Sequence, residues 1–248
     1  MLPAASGAPG RWGPGGRRRG DSLACRPTEA GCGRGPTQAT AKLLIIMHTD
    51  LLAHIARYVA LAPAEAQLVR DHLVLQTVPR KAHLLVAGQP CCASYFVLHG
   101  CLRMYFITEK GTEQITRFAL ENWWLADYAS LLSQRPSQFF VQAVEATTVS
   151  VLDYARQEEL LARVPALERY FRLVLQRVAA ADQTRPVFQF GLSAEELYHH
   201  FVASFPGFAQ RVPQYMLASY LGFTPEFLSK IRARPPAGKA GPLGAQIS

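Results

Sequence analysis

The polar residues best spaced for concerted chemistry lie in Arg211-Val-Pro-Gln-Tyr-Met-Leu-Ala-Ser-Tyr-Leu-Gly-Phe-Thr-Pro-Glu-Phe-Leu-Ser-Lys-Ile-Arg232. Its apolar residues fall at helical spacing on either side of Gly222, with the polar Thr224, Glu226, Ser229, Lys230 and Arg232 among those that follow. That is recognition chemistry, not bond breaking. Elsewhere the spacing does not suit catalysis or metal binding. His83 and His99 are isolated, and the adjacent His199 and His200 would point in different directions on a helix. There is no His-x-His pair with carboxylates, no local Ser/His/Asp or Cys/His signature and no phosphate-binding glycine loop. The sequence therefore predicts no enzyme, no catalytic residue, no metal and no cofactor.

The elements that would position these polar residues are two short helices joined by a tight turn. Met216, Leu217, Tyr220 and Leu221 recur at helical spacing, and Gly222 follows where the chain must turn. Thr224 can cap the next helix, Pro225 suits its first turn, and Glu226 complements its dipole. Small Ala218 lies where two helices would cross closely. This is the layout of a helix-turn-helix DNA reader; an ordinary helical hairpin is the alternative.

The whole chain has 248 residues, enough for one large domain or two small ones with a buried core. No apolar run reaches bilayer length, and Leu43–Met47 does not suit a signal peptide, so a soluble cytoplasmic protein with no membrane partner is expected. Net charge is +8, of which +5 belongs to residues 1–46. That balance permits DNA binding without requiring it. Cys25, Cys32, Cys91, Cys92 and Cys101 do not form a disulfide framework in a chain of this size, and buried or incidental thiols are expected.

Residues 1–46 are Gly/Pro-rich and basic and should be disordered, either as an arm against DNA or as an extension upstream of Met47. Helical patterns run from Asp50 to about Tyr58 and from Ala64 to Leu73, broken by Pro63. Short β-type runs follow: Leu73–Val78, His83–Ala87, Ser94–Leu98, Leu102–Ile107, Gln114–Leu120, Phe139–Val144 and Thr148–Asp153. Glu109-Lys-Gly111 is a hairpin turn, and Ala126–Leu132 a short helix. Such a set is typical of a jelly roll. Pro165 opens a long helix to about Phe190, with a bend expected near Pro186. Its apolar residues Leu167, Tyr170, Phe171, Val174, Leu175 and Val178 form a seam for a partner helix or for the barrel. Ala179, Ala180 and Ala181 permit close approach. Ser193-Ala-Glu-Glu196 reads as a capping box.

Arg211-Val-Pro-Gln, Ala218-Ser-Tyr-Leu-Gly-Phe-Thr-Pro-Glu and Leu228-Ser-Lys-Ile-Arg resemble the C-terminal reader of Crp/Fnr-family transcription regulators, most closely the branch common in Bacteroidetes. Glu121-Asn-Trp-Trp-Leu-Ala-Asp, Arg135-Pro-Ser and Pro165-Ala-Leu-Glu-Arg-Tyr-Phe extend the resemblance over roughly residues 48–234. The resemblance implies an α+β chain. A double-stranded β-helix (jelly roll) of the cyclic-nucleotide-binding type spans 47–164, a dimerisation helix 165–190, a helix-turn-helix domain 191–235 and a flexible tail 236–248.

Carried onto this sequence, the family's base-reading positions are Pro225, Glu226 and Lys230. Pro225 has no donor for a base, whereas Glu226 can accept from cytosine and Lys230 can donate to guanine. Gln214, Thr224, Ser229 and Arg232 suit phosphates, and Phe227 can touch a thymine methyl or pack. A solvated face is the alternative for Lys230 and Arg232. The family's dimer contact would fall on Leu167, Tyr170, Phe171, Val174 and Val178. In cyclic-nucleotide-binding relatives a glycine, a glutamate and an Arg-Ser/Thr pair cradle the cyclic phosphate. Here those positions read Ala126, Asp127 and Ser137-Gln138, with Arg135 displaced, so no cyclic AMP binding is expected. Iron–sulfur relatives use tighter cysteine spacing than Cys25 and Cys32 offer. Trp123 and Trp124 could wall the pocket of a different effector, or could pack. The expected function is a homodimeric regulator of operator DNA, with RNA polymerase and an unknown small-molecule effector as further candidate partners. The alternative is a ligand-binding or interaction module with a degenerate reader.

Overall fold

The computed structural model describes residues 50–233, and the features below are those of these residues. Helix α1 covers residues 50–56 and α2 covers Pro63–His72, with Pro63 in its first turn and Glu65 accepting from the Ala62 N–H at 2.7 Å. The first helix stops before the expected Tyr58. The strands follow as β1 (Leu73–Val78), β2 (His83–Leu85), β3 (Ala93–His99), β4 (Leu102–Ile107), β5 (Glu113–Ala119) and β6 (Trp124–Leu125). Short helix α3 (Tyr128–Ser133) precedes β7 (Phe140–Ala143) and β8 (Thr147–Asp153). All pairings are antiparallel, in two sheets of order β1-β8-β3-β6 and β2-β7-β4-β5.

Alternating side chains of both sheets meet between them, where Val78, Leu85, Val97, Leu102, Val141 and Val149 are buried together. This is the jelly roll. The β4–β5 hairpin closes where expected, with Thr108 N–H donating to Thr112 O at 2.9 Å. Strands β1 and β4 have the boundaries their alternation predicts. The others differ by a residue or two at their ends, and β6 was not anticipated. Neither was helix α4 (Tyr154–Arg163), capped by Asp153, whose carboxylate accepts from Ala155 and Arg156.

The long helix α5 spans Ala166–Gly191 and remains helical through Pro186. Its first turns lie on the outer face of the β1-containing sheet, where Leu167 and Tyr170 join Leu51, Ile55, Phe96 and Leu152 in a second core. Helices α6 (Ala194–Ser204), α7 (Pro206–Arg211), α8 (Gln214–Leu221) and α9 (Pro225–Ala233) complete the described chain. Ser193 starts α6 with the expected capping box, its hydroxyl accepting from Glu196 N–H and its own N–H donating to Glu196 Oε2.

Two of the seam residues are corrected by this packing. Leu167 and Tyr170 are 1% and 0% exposed inside the chain's own core, so a second chain cannot reach them. Phe171 and Val174 lean on the same core, and Val178 is half-buried. The apolar face of α5 left open carries Leu175, Ala179 and Phe190, the last 89% exposed. Sequence spacing marked a stripe but could not say which of two neighbours it served.

Candidate nucleic-acid interface and sensor site

Helices α8 and α9 each turn an apolar face inward. Met216, Leu217, Ala218, Leu221, Leu228 and Ile231 are all buried. Gly222 takes φ +82° at the end of α8, a conformation that costs a side chain-bearing residue energy, and Phe223 N–H closes the turn on Ala218 O at 2.8 Å. Thr224 Oγ1 then accepts from Phe227 N–H at 3.2 Å and caps α9.

With Leu228 and Ile231 turned inward, the opposite face of α9 is open. Pro225, Glu226, Ser229, Lys230 and Ala233 line a shallow groove of about 560 Å³. Thr224, Phe227 and Arg232 are also exposed, and Gln214 is half-buried at the start of α8. Phe227 packs, and part of its ring stays open. Its ring stands 5.6 Å from Phe223, yet it remains 45% exposed. The groove thus brings together an acceptor, a hydroxyl and a cationic donor.

Helices α6–α9 are not separate from the barrel. Phe118 on β5 packs edge-on against Phe208 at 4.8 Å, and one continuous core joins Cys101, Tyr105, Ile115 and Val144 to Met216, Leu217 and Leu228. The division expected near residue 190 runs through that core. Ser219 Oγ donates to Glu113 O at 2.8 Å and accepts from Ile115 N–H at 3.0 Å, so α8 occupies polar groups of an edge strand. Arg211 holds Glu121 with two bonds, at 2.9 and 2.8 Å, and also reaches Glu145. Burial alone would raise the Glu121 carboxyl, but Arg211 and backbone N–H groups including that of Gly100 outweigh it and hold it at about 2. None of these long-range ties has a local sequence signal.

At the candidate sensor site, Asp127 caps α3. Its Oδ1 accepts from Ala129 and Ser130 N–H, and its Oδ2 accepts the Ser137 hydroxyl at 2.6 Å. Asp127 and Ser137 are buried, Ala126 faces the barrel core, and Gln138 and Arg135 are exposed. Trp123 and Trp124 do not line this place together. Trp124 packs on Phe96 and Phe171 and donates to Tyr170 Oη at 2.8 Å, whereas Trp123 meets Phe205 at 6.2 Å. Of the two readings, effector wall or packing, these contacts are packing against two separate partners. Tyr170 Oη also lies 2.9 Å from His54 Nδ1, within hydrogen-bond distance. Burial, then Arg57 and Arg177, lower His54 to about 4.

Residues 75–164 match the family described as Cyclic nucleotide-binding domain. An "Anaerobic regulatory protein" of Pasteurella multocida is 27% identical over 177 residues, covering 66% of this chain and 64% of the relative. A "Fumarate and nitrate reduction regulatory protein" of Vibrio cholerae is 27% identical over 168 residues, covering 63% and 66%. The chain thus spans slightly less than two thirds of the length of these relatives. It is similar to regulators of the Crp/Fnr type, and its residues 75–164 match the cyclic nucleotide-binding domain. Two solved structures share its fold. FixK2 from Bradyrhizobium japonicum has TM-score 0.52 and 16% identity, covering 65% of this chain and 83% of that one. The c-di-GMP-responsive regulator CLP of Xanthomonas campestris has TM-score 0.54 and 12% identity, covering 69% and 90%.

Within this barrel, the resemblance to cyclic-nucleotide-binding relatives puts a cyclic phosphate against the start of α3. The Asp127 carboxylate already accepts two N–H groups of that turn and the Ser137 hydroxyl. A bound phosphate would therefore meet a negative charge in place of free donors. Among the described residues no three His, Cys, Asp or Glu side chains form a group able to hold a metal ion. Cys91 and Cys101 are free and buried.

Proposed function

We propose that this chain is a DNA-binding transcriptional regulator. It would bind operator DNA as a homodimer, under control of an effector or stress signal other than cyclic AMP. The observation that carries the reading is the open face of α9, where Pro225, Glu226, Ser229 and Lys230 stand clear of the helix's own core contacts. A helix so anchored can enter a major groove with its N-terminal residues toward base edges. Glu226 and Lys230 would read bases; Gln214, Thr224, Ser229 and Arg232 would hold phosphates; Phe227 would meet a thymine methyl.

Residues 47–164 would act as sensor, 165–190 as dimer helix and 191–235 as reader. Leu175, Ala179 and Phe190 are the α5 residues best exposed for a second copy, with Phe171, Val174 and Val178 at their margin. Two readers would then face half-sites about one DNA turn apart. The reading is of a cytoplasmic regulator and not an enzyme, with RNA polymerase as a further partner. No helix among the described residues is long and apolar enough to cross a membrane.

The experiment is a binding titration with the promoter region beside the chain's own gene, at several salt concentrations. Salt-dependent affinity that is lost in the Glu226→Ala/Lys230→Ala double variant is expected. Equal binding by parent and variant would sink the reader and favour an interaction module.

A further inference from the structure

Strand β5 is irregular where the reader meets it. Met104 pairs with Arg117 and Tyr105 with Ile115, so Thr116 is an extra residue bulged out of the ladder. Its hydroxyl donates to Met104 O at 3.2 Å, and its carbonyl turns away from β4 to accept from Arg185 of α5. The same guanidinium donates to Tyr220 O at 3.0 Å and lies 4.2 Å above the Tyr220 ring. Tyr220 is in the last turn of α8, where carbonyls lack helical partners and a cation is favoured. Gly222, Thr224 and α9 follow at once. Arg117, beside the bulge, also pairs with Asp182 one turn earlier on α5. One planar side chain therefore joins the sensor sheet's edge, the long helix and the pivot of the reading helix.

We propose that Arg185 is a positioning residue that sets the angle of the α8–α9 pair by tying it to the Thr116 bulge. The proposal rests on the DNA-reading function given above. Arg185 bonds to Tyr220 O and Thr116 O and does not line the groove of α9, so it acts on where the reader points and not on what it touches. Arginine suits this place because its fork can serve two carbonyls while its face stacks on a ring; lysine offers a single point of donation. A shift of β5 against β4 would move the bulge carbonyl and, through Arg185, the start of α9.

The test uses the full chain as parent, Arg185→Ala and Arg185→Lys, with duplexes enriched by the parent from a randomised library. Each duplex is used with both half-sites and again cut to one. In Arg185→Ala, two-half-site affinity should fall roughly tenfold or more, with single half-site affinity unchanged. Amide exchange should rise in 113–119 and 214–221 but not in β3 or β8. Arg185→Lys should fall between, and it supplies the comparison if the alanine variant does not fold. Equal loss on both duplexes, or exchange in 214–221 at parental rates, would overturn the proposal. If the parent enriches no duplex, the DNA-reading function fails, and exchange alone decides the tie: a rise in both segments sustains it, and parental rates in 214–221 refute it.

Discussion

The Ser137 hydroxyl donates to Asp127 Oδ2 at 2.6 Å, while the other oxygen of that carboxylate accepts two N–H groups at the start of α3. The chain fills this turn with an anion of its own. Fixing the carboxylate there satisfies donors that a ligand phosphate would need, and leaves an incoming phosphate facing a like charge.

Calorimetric titration of the parent with cyclic AMP should accordingly give no binding heat. Asp127→Ala should lose about 1–2 kcal/mol of stability, read from the denaturant midpoint, because a two-donor cap is removed. It should not gain cyclic AMP affinity, since Arg135 is exposed and Ser137-Gln138 supplies no guanidinium. Micromolar binding by the parent would refute this account.

Stability should fall in acid in two stages. His54 titrates at about 4 in the folded chain against an ordinary 6.5, so between those values the unfolded chain binds the extra proton. The His54 share is complete above pH 6.5 and is lost as pH falls toward 4. Glu121, at about 2 against an ordinary 4.5, continues the loss from pH 4.5 downward. One proton sets a limit of about 1.4 kcal/mol per pH unit for each stage, and solvent around the partly exposed Glu121 keeps its share well below that. Urea unfolding between pH 7 and 3 checks this. His54→Gln should flatten the upper stage only; a parent with flat stability from pH 6.5 to 4 would contradict it.

Barrel and reader should unfold together. Phe118 is 8% exposed and touches Phe208 and Tyr220, so Phe118→Ala should remove about 3–5 kcal/mol. Scanning calorimetry should show one transition in parent and variant, with van't Hoff and calorimetric enthalpies in agreement. Two resolved transitions in the parent would show that the shared core does not couple them.

Local pattern made the jelly roll, the capping box and the Gly222 turn legible, because each is written within a few residues. Alternation delimited β1 and β4 for the same reason. Strand β6 was not legible, since two residues carry no period, and α4 was missed although Asp153 offered a cap. The choice between wall and packing for Trp124 is not legible, because its partner Tyr170 lies on another element. The ties that hold the reader, Arg211 to Glu121 and Ser219 to Glu113, join residues about a hundred positions apart, and no window contains both ends. Asp127 was visible as a departure from the family's pattern, but its role as an internal ligand needed Ser137 in place beside it.

The same limit governs α5. Its inward stripe of Leu167, Tyr170 and Val174 is used by the barrel, and Phe188 by the reader core. A second copy must therefore use the opposite side, where Leu175 is 40% and Phe190 89% exposed and Ala179 lets backbones approach. Leu175→Glu would bury an unpaired carboxylate in that seam and touch nothing in the chain's own core. Sedimentation should show a dimer for the parent and at least a tenfold weaker one for the variant, with thermal stability of the barrel unchanged. A Leu175→Glu chain that dimerises like the parent would move the interface off this face of α5.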